Sequence, residues 1–266
     1  MARRDGVSQW VWTVDARGNR TSERRLGLLG QLVADQDGLA GFDARFDERG
    51  RQVELLRIGP DGTAAGGASD GIARIVYEQD SRGRVQRTRF YDRNGQPKAD
   101  RDGVYGHAFR YNARGQTIEE QRLAADGALI NQRDGTARVE TDFDAAGGIV
   151  ERRFFDARNR PTATSQAAIV RYRNDPYGRE LERWFLDEHA EPVQAPESGR
   201  WRVVFVRDRW GRPTQERSLG RDGQPVNRRD VGWSHRTWHY GNMGEVVEVR
   251  CVDVQGRPVK TCAQAD

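Results

Sequence analysis

The sequence predicts an all-β protein, an elongated array of antiparallel β-hairpins built from eight repeats of 31–33 residues. Glycines recur at a nearly constant interval, a second set of turn residues follows each of them by twelve positions, and apolar and polar residues alternate between the turns. Alternation with a period of two is typical of half-buried strands. No segment has a sustained helical period, so we expect a helix content below about a tenth.

The first glycine set defines the repeat: Gly18, Gly50, Gly83, Gly115, Gly147, Gly178, Gly211 and Gly244. We place the unit starts near residues 6, 38, 71, 103, 135, 166, 199 and 232, within a single repeat domain over 6–262 that is followed by a tail at 263–266. An eight-bladed propeller or a closed barrel is the alternative fold. About 32 residues is short for a four-stranded blade, which favours the array.

An aspartate precedes most of these glycines by three positions, as in Asp47 and Gly50. Aspartate accepts a hydrogen bond from the backbone two residues later and glycine adopts a left-handed conformation, so D-x-x-G predicts a tight hairpin turn. Calcium would need more carboxylates per loop than these turns offer. His235 and His239 are about 13 Å apart along a predicted strand, too far to share a metal ion. We therefore predict no metal site.

The strand before each turn alternates in polarity, as in Ala40, Phe42, Ala44 and Phe46. The strand after it carries two charged columns, which we expect to form charge ladders between neighbouring strands: the glutamates Glu54, Glu119, Glu151, Glu182 and Glu248, and the arginines Arg24, Arg89, Arg153, Arg217 and Arg250.

A second turn lies twelve residues after the first, at Gly30, Gly62, Gly95, Gly127, Asn159, Ala190, Gly223 and Gly256. In five units a proline follows two residues later, for example Pro97 and Pro258. Because proline has no N–H for a ladder, this stretch is expected to be an edge or a connection. Each unit thus has two clear strands and at most a short third one.

The composition limits the function classes. Only 36% of the residues are hydrophobic, 32% are charged and the mean hydropathy is −0.89, which indicates a thin layered structure. The 44 basic and 40 acidic residues are interspersed, whereas nucleic-acid binders usually segregate their basic residues. We expect neither a nucleic-acid partner nor a membrane span, since no apolar run is long enough. No intact signal peptide is visible, although a cleaved leader would leave no trace.

The hairpin motifs carry a resemblance to a known family. Phe46-Asp47-Glu48-Arg49-Gly50-Arg51 and Tyr111-Asn112-Ala113-Arg114-Gly115-Gln116 resemble the YD repeat, Y-D-x-x-G-R, of bacterial RHS proteins. The resemblance covers Gly6 to about Cys262. It implies hairpins wound into a shell, often around a toxin domain, and a bacterial protein that is secreted, periplasmic or on the cell surface.

Catalytic motifs are nearly absent: the sequence contains no G-x-S-x-G, H-E-x-x-H or phosphate-binding loop. We therefore expect a non-enzymatic protein without a cofactor. One hypothesis is a repeat scaffold that binds an acidic polysaccharide or protein, since stacked repeats present extended surfaces. The other is a structural shell or stalk segment of an RHS-type secreted system. A binding module should carry a patch that breaks the repeat pattern, whereas a spacer should be uniform.

One such patch occurs in the unit at 199–231, which contains nine arginines and only four acidic residues. Arginine beside an exposed aromatic ring suits acidic glycans, phosphates or an acidic protein face. The unit at 166–198 has the opposite imbalance, with seven acidic residues and four arginines, so the two units could instead neutralise each other. The candidate binding residues are Arg200, Arg202, Arg209, Trp210 and Arg212.

Cys251 and Cys262 flank the turn at Gly256 and are candidates for a disulfide that caps the last unit. If Gln255 to Pro258 form the loop, the two cysteines face each other. If Asp253 to Gly256 close a tight turn, Cys251 pairs with Val259 and the sulfurs are expected to be too far apart. A disulfide would place the protein in an oxidising compartment, and two free thiols would fit a reduced cytoplasmic one.

Overall fold

The computed structural model describes residues 6–163, 167–260 and 262; the predicted unit start near 166 and the tail at 263–266 lie outside them. The described residues form sixteen β-strands, all paired antiparallel, and no α-helix. This confirms the predicted all-β array of hairpins. None of the described segments is a helix that could cross a membrane.

The chain divides into two compact units, Met1–Arg133 and Asp134–Asp266, each with four hairpins. The boundary coincides with the predicted start of the fifth repeat near 135. The first unit contains β1 (Gln9–Val14), β2 (Arg20–Leu26), β3 (Gly41–Phe46), β4 (Gln52–Ile58), β5 (Arg74–Gln79), β6 (Val85–Tyr91), β7 (Gly106–Tyr111) and β8 (Thr117–Leu123). The second unit contains β9 (Arg138–Phe143), β10 (Ile149–Phe155), β11 (Ile169–Asn174), β12 (Glu180–Leu186), β13 (Arg202–Arg207), β14 (Pro213–Leu219), β15 (His235–Tyr240) and β16 (Val246–Val252).

Within each unit the strands pair in chain order, so every hairpin is joined to the next by backbone hydrogen bonding. A propeller would instead divide the strands into separate blades. A closed barrel would pair the first strand of the sheet with the last one, and among the described residues β1 pairs only with β2. Both alternative folds are therefore wrong.

In six of the eight repeats the first turn is built around its aspartate, as predicted; Asn112 and Gly241 stand in its place in the fourth and eighth repeats. In the second repeat Asp47 Oδ1 accepts the N–H groups of Arg49 and Arg51, each at 2.9 Å. The N–H of Gly50 donates to the Asp47 carbonyl at 2.9 Å, and Gly50 has a φ of 75°. A left-handed glycine after a tight turn gives a hairpin with a bulge, which agrees with the register shift between Arg45 and Phe46.

An arginine just after the glycine connects one hairpin to the next. Arg51 Nε donates to Asp47 Oδ2 at 2.7 Å, and its Nη1 donates to the Asp80 carbonyl of the following turn at 2.8 Å. Arg84 repeats the arrangement with Asp80 at 2.7 Å and the Asn112 carbonyl at 3.2 Å. The arginine of the D-x-x-G-R motif thus holds its own turn and the neighbouring turn together.

A third turn, which we did not predict, recurs at the repeat boundaries within the described residues. The predicted short third strand is a single bridge, such as Tyr91 with Pro97. The chain then turns again: in the third repeat the N–H of Gly103 donates to the Asp100 carbonyl at 3.2 Å. The turn glycines stand at the predicted unit starts and all have positive φ: Gly6, Gly38, Gly71, Gly103, Gly135, Gly199 and Gly232.

The residue after this third turn is buried in all eight repeats. It is Val7, Leu39, Ile72, Val104, Thr136, Ala167, Arg200 and Trp233, with relative exposures between 0 and 9%. In the second unit Ala167 belongs to a small core cluster with Val170, Phe185, Ala195 and Val203. The same repeat position is therefore buried throughout, and we call these eight residues the buried column.

The predicted charge ladders form, but many of the glutamates pair with arginines of the flanking strands. Glu151 contacts Arg171 of β11 at 2.8 Å, and Glu54 contacts Arg45 of β3 at 3.7 Å and Arg74 of β5 at 3.8 Å. Within the predicted arginine column, Arg153 contacts Glu151 at 3.1 Å. These contacts lie on the sheet surface and stabilise each pair by about 0.2–1 kcal/mol.

Candidate functional site

The hairpin turn between β13 and β14 presents the predicted aromatic residue to solvent. Asp208 Oδ1 accepts the N–H groups of Trp210 and Arg212, each at 2.9 Å, and Gly211 has a φ of 85°. The turn is thus closed by its own backbone and by Asp208. The Trp210 side chain is not used for this closure and remains 61% exposed.

Two arginines lie against the Trp210 ring. The guanidinium carbon of Arg209 is 4.0 Å from the ring centroid and that of Arg212 is 4.7 Å from it. Arg212 also lies 4.2 Å from the ring centroid of Tyr240, whose hydroxyl donates to the Pro213 carbonyl at 2.7 Å. Cation–π contacts of this kind hold the rings and cations together.

The charges of the two arginines are balanced differently. Arg212 Nε donates to Asp208 Oδ2 at 2.8 Å. Burial opposes ionisation of Asp208, but the hydrogen bonds from Arg212 outweigh it and lower the pKa of the carboxyl. Asp208 is therefore ionised at neutral pH and offsets Arg212. Arg209 makes no ion pair within the part of the chain that the structure describes, and its charge is available to a ligand.

Neighbouring turns of the second unit extend this surface. The residue before the first-turn glycine is Tyr177, Trp210 and Met243 in the last three repeats, with exposures of 77, 61 and 93%. Arg179 Nη1 donates to the Trp210 carbonyl at 3.3 Å, and this bond connects the turn of Tyr177 to the turn of Trp210. A groove runs between Trp210 and the next turn, with Tyr240 and Met243 along it. We call Tyr177, Arg209, Trp210, Arg212, Tyr240 and Met243 the aromatic edge.

The same position in the first unit has a different chemistry. It is arginine in each of the four repeats, Arg17, Arg49, Arg82 and Arg114, and all four are exposed. The fifth repeat has Ala146. The turn edge is therefore uniform in the first unit and changes to exposed apolar residues in the second.

The structure separates the five candidate binding residues into two groups. Arg209, Trp210 and Arg212 lie together at the turn. Arg202 is at the start of β13, about 17 Å away along the strand at 3.3 Å per residue. Its guanidinium pairs with Glu182 and lies 5.3 Å from the Trp184 ring centroid. This is one ion pair across the two repeats, of the kind that their opposite charge balance indicated.

Arg200 occupies the buried column that follows the third turn, with 9% exposure. It contacts Glu216 at 3.1 Å and its Nε donates to Ser198 Oγ at 3.1 Å. Burial, followed by the nearby charge of Arg228, lowers the pKa of Arg200 to about 10. Arg200 is still a cation at neutral pH, and its charge is paired with Glu216 within the protein. Arg200 is therefore a core residue in this structure rather than a ligand-facing one.

Tyr177, Tyr240 and Met243 were absent from the candidate set. A signal for two of them was present, because Tyr177 and Met243 occupy the repeat position of Trp210. Comparing that one position across all eight repeats would have identified them. Tyr240 ends a strand, and its place beside Arg212 depends on how consecutive hairpins pack.

Cys251 and Cys262 form a disulfide in the structure, with Cα atoms 5.3 Å apart. The turn is the tight one: the N–H of Gly256 donates to the Asp253 carbonyl, and that of Val259 to the Cys251 carbonyl, each at 2.9 Å. We expected this register to keep the sulfurs apart. That inference was wrong because the chain does not stay extended: Lys260 and Cys262 have the conformation of a 3-10 turn.

No group of three or more His, Cys, Asp and Glu side chains within residues 6–163, 167–260 and 262 could hold a metal ion. The histidines His235 and His239 lie on β15, as the sequence indicated. His239 Nδ1 is 3.6 Å from Glu248 of β16.

Among solved structures, the chain is similar to a TcdB2-TccC3-TEV structure, with 12% identity and a TM-score of 0.37 over 92% of this chain and 13% of that one. It is also similar to a Photorhabdus luminescens Tc holotoxin pore, with 11% identity and a TM-score of 0.33 over 91% of this chain and 13% of that one. No protein-family model matches the chain. No curated protein matches it either. The chain thus spans 13% of the length of these chains, and TM-scores this low do not assign it to a family.

Proposed function

We propose that this chain is a non-enzymatic repeat scaffold whose aromatic edge binds an acidic polysaccharide. The observation that carries the proposal is the exposed Trp210 ring beside two arginines, on a turn that needs neither this ring nor the charge of Arg209 for its closure. A turn that served only as a connection would have no reason to expose a large ring.

The repeat geometry favours an extended ligand. Consecutive first turns are two strands apart, about 10 Å at the usual strand spacing. Tyr177, Trp210 and Met243 therefore offer apolar contacts at regular steps along one line. Sugar rings stack on such side chains through their C–H faces, and carboxylate or sulfate groups on the sugars would pair with Arg209.

A structural shell segment is the second candidate, and the first unit favours it. Its turn edge repeats the same exposed arginine four times, the uniformity expected of a spacer. Export to an oxidising compartment belongs to both proposals and is supported by the disulfide between Cys251 and Cys262.

The test compares two pairs of substitutions. Arg209→Ser with Trp210→Ala removes a charge and a ring from the aromatic edge, and Arg49→Ser with Arg82→Ser removes two charges from the same turn position in the first unit. We expect the first pair to weaken binding to a uronate- or sulfate-bearing polysaccharide about tenfold or more, in titration calorimetry at low salt. The control pair should change it less than about twofold.

Arg212 stays unchanged in this experiment because it holds Asp208 and Tyr240. Equal losses in both pairs would show that only general charge attraction is involved. Single-stranded DNA is included because stacking rings and arginines also suit nucleic acids. Tighter binding of that DNA than of the polysaccharide would contradict the assigned ligand class.

A further inference from the structure

The outer edge of β1, the first strand that the structure describes, is exposed and apolar. All six residues of β1 are exposed, including Trp10 at 42%, Trp12 at 53% and Val14 at 55%. Among the described residues β1 pairs only with β2. An exposed edge strand is usually protected by charges, proline or a bulge on its free side, since its unpaired backbone groups attract other strands. The sequence Gln9–Val14 contains neither a charged residue nor proline.

β16, the last strand that the structure describes, also has an exposed outer edge. In β16, Val246 is 52% exposed and Val247 is 60% exposed. Within the residues that the structure describes, β16 pairs only with β15. β1 is the strand before a first turn, and β16 is the strand after one. Their outer edges are therefore the two kinds of edge that face each other between consecutive hairpins.

These two kinds of edge already meet six times inside the two units. Each time a strand that follows a first turn pairs with the strand before the next turn, over three residue pairs. At the β4/β5 junction Glu54 is opposite Val76, Leu55 opposite Ile75 and Leu56 opposite Arg74. These six junctions therefore show the strand pairing by which the edge of β16 could join the edge of β1.

Transferring this register by repeat position places Glu248 opposite Val11, Val249 opposite Trp10 and Arg250 opposite Gln9. Val249 opposite Trp10 reproduces the apolar pair of Leu55 and Ile75. The positions equivalent to Trp10 in β11 and β13 are Val170 and Val203, and both are completely buried. Covering Trp10 in the same way would remove an exposed aromatic ring from water, which is favourable by about 25 cal/mol per Å² of apolar surface.

We infer that two copies of this chain associate head to tail, with the β16 edge of one copy adding to the β1 edge of the next. The interface is heterologous: the two partners use different surfaces, so association can continue to longer assemblies. A single strand junction buries far less than the 1,200–2,000 Å² typical of stable complexes, so we expect weak association that depends on concentration.

The test uses two substitutions that each block one edge. Trp10→Lys places a charge on the β1 edge and Val249→Glu places one on the β16 edge. Sedimentation velocity should show a mass that rises with concentration for the wild type, and a monomer for either variant alone. Mixing the variants should restore dimers, because the Trp10→Lys chain keeps an intact β16 and the Val249→Glu chain keeps an intact β1.

Leu29→Lys is the matched control, since Leu29 is 93% exposed and lies in the turn after β2, outside β1 and β16. It should associate as the wild type does. Circular dichroism verifies that each variant is folded, and Trp12→Lys replaces Trp10→Lys if the latter unfolds. A wild type that is monomeric at all concentrations, a Val249→Glu variant that still associates, or a mixture that stays monomeric would each overturn the inference.

Discussion

A single aspartate organises the first turn of nearly every repeat, and its ionisation is part of the fold. The pKa of Asp47 is lowered to about 2, first by the hydrogen bond from the Arg51 side chain and then by the Arg51 backbone N–H. The pKa of Asp80 is lowered mainly by the Arg84 backbone N–H. Lowered values recur in the first turns at Asp15, Asp144, Asp175 and Asp208, and in the second turns at Asp156 and Asp253.

These shifts predict a loss of stability in acid. A carboxyl whose pKa is lower in the folded state stays ionised there while the unfolded chain already binds protons as the pH falls. The contribution is complete above the ordinary aspartate pKa, about 4, and disappears as the pH falls towards about 2. Urea unfolding followed by circular dichroism should give a constant free energy of unfolding from about pH 5 to 7 and a decline below about pH 4.

Asp47→Asn is the control for this prediction, because asparagine can still accept the backbone hydrogen bonds but does not titrate. This variant should be less stable than the wild type at neutral pH, and the difference should shrink in acid. Equal stability at pH 3 and pH 7 in the wild type would contradict the role assigned to the aspartates.

At the scale of the element, the two turns with clear local chemistry could be predicted from sequence and the third could not. D-x-x-G fixes the first turn through contacts within five residues, so the motif is sufficient. The third turn follows a single bridge, such as Tyr91 with Pro97, and this bridge is too short to show alternation. Missing that turn hid the buried column behind it. Arg200 was consequently interpreted as a surface arginine, although seven repeats have a non-charged residue in its place.

The disulfide takes the place of an ion pair that joins the same two elements in earlier repeats. Arg57, near the end of β4, contacts Asp70 of the third turn at 2.7 Å, and Arg25 of β2 likewise pairs with Asp35. Cys251 stands at the repeat position of Arg25 and Arg57. In the last repeat a covalent bond therefore connects the strand to the segment after the second turn. The spacing of the cysteines could suggest the bond, but the 3-10 turn that permits it has no sequence signature that we recognised.

We predict that this bond is present in protein from an oxidising compartment and that it stabilises the last hairpin. Alkylation under denaturing conditions should modify no thiol before reduction and two after it, as measured by intact mass. Reduction, or Cys251→Ser with Cys262→Ser, should lower the free energy of unfolding by about 2 kcal/mol. Hydrogen exchange should become faster in β16 and remain unchanged in β9. Two alkylated thiols in unreduced native protein would contradict the bond.

At the scale of the whole molecule, each unit is a chain of hairpins in which a repeat depends mainly on its neighbours. Two junctions of the first unit are equivalent: Arg51 donates to the turn carbonyl of Asp80, and Arg84 donates to that of Asn112. The buried column supplies one residue per repeat and needs no contact between distant repeats. Stability in such arrays is approximately the sum of the repeats and their interfaces.

Deletion of residues 71–102, one complete repeat of the first unit, should therefore shorten the protein without unfolding it. The deletion joins Asp70 to Gly103, so a glycine with positive φ still follows Asp70 in the third turn. Arg57 keeps Asp70, and Arg51 meets the Asn112 carbonyl that Arg84 uses. We expect a cooperative urea transition with a lower midpoint and an m-value reduced by about an eighth.

Removing only β6 (Val85–Tyr91) deletes fewer residues but leaves β5 and β7 without their shared partner. That variant should lose the strand signal of the first unit in circular dichroism. The opposite ranking, with the complete repeat more damaging than the single strand, would show that the first unit folds through contacts beyond neighbouring repeats.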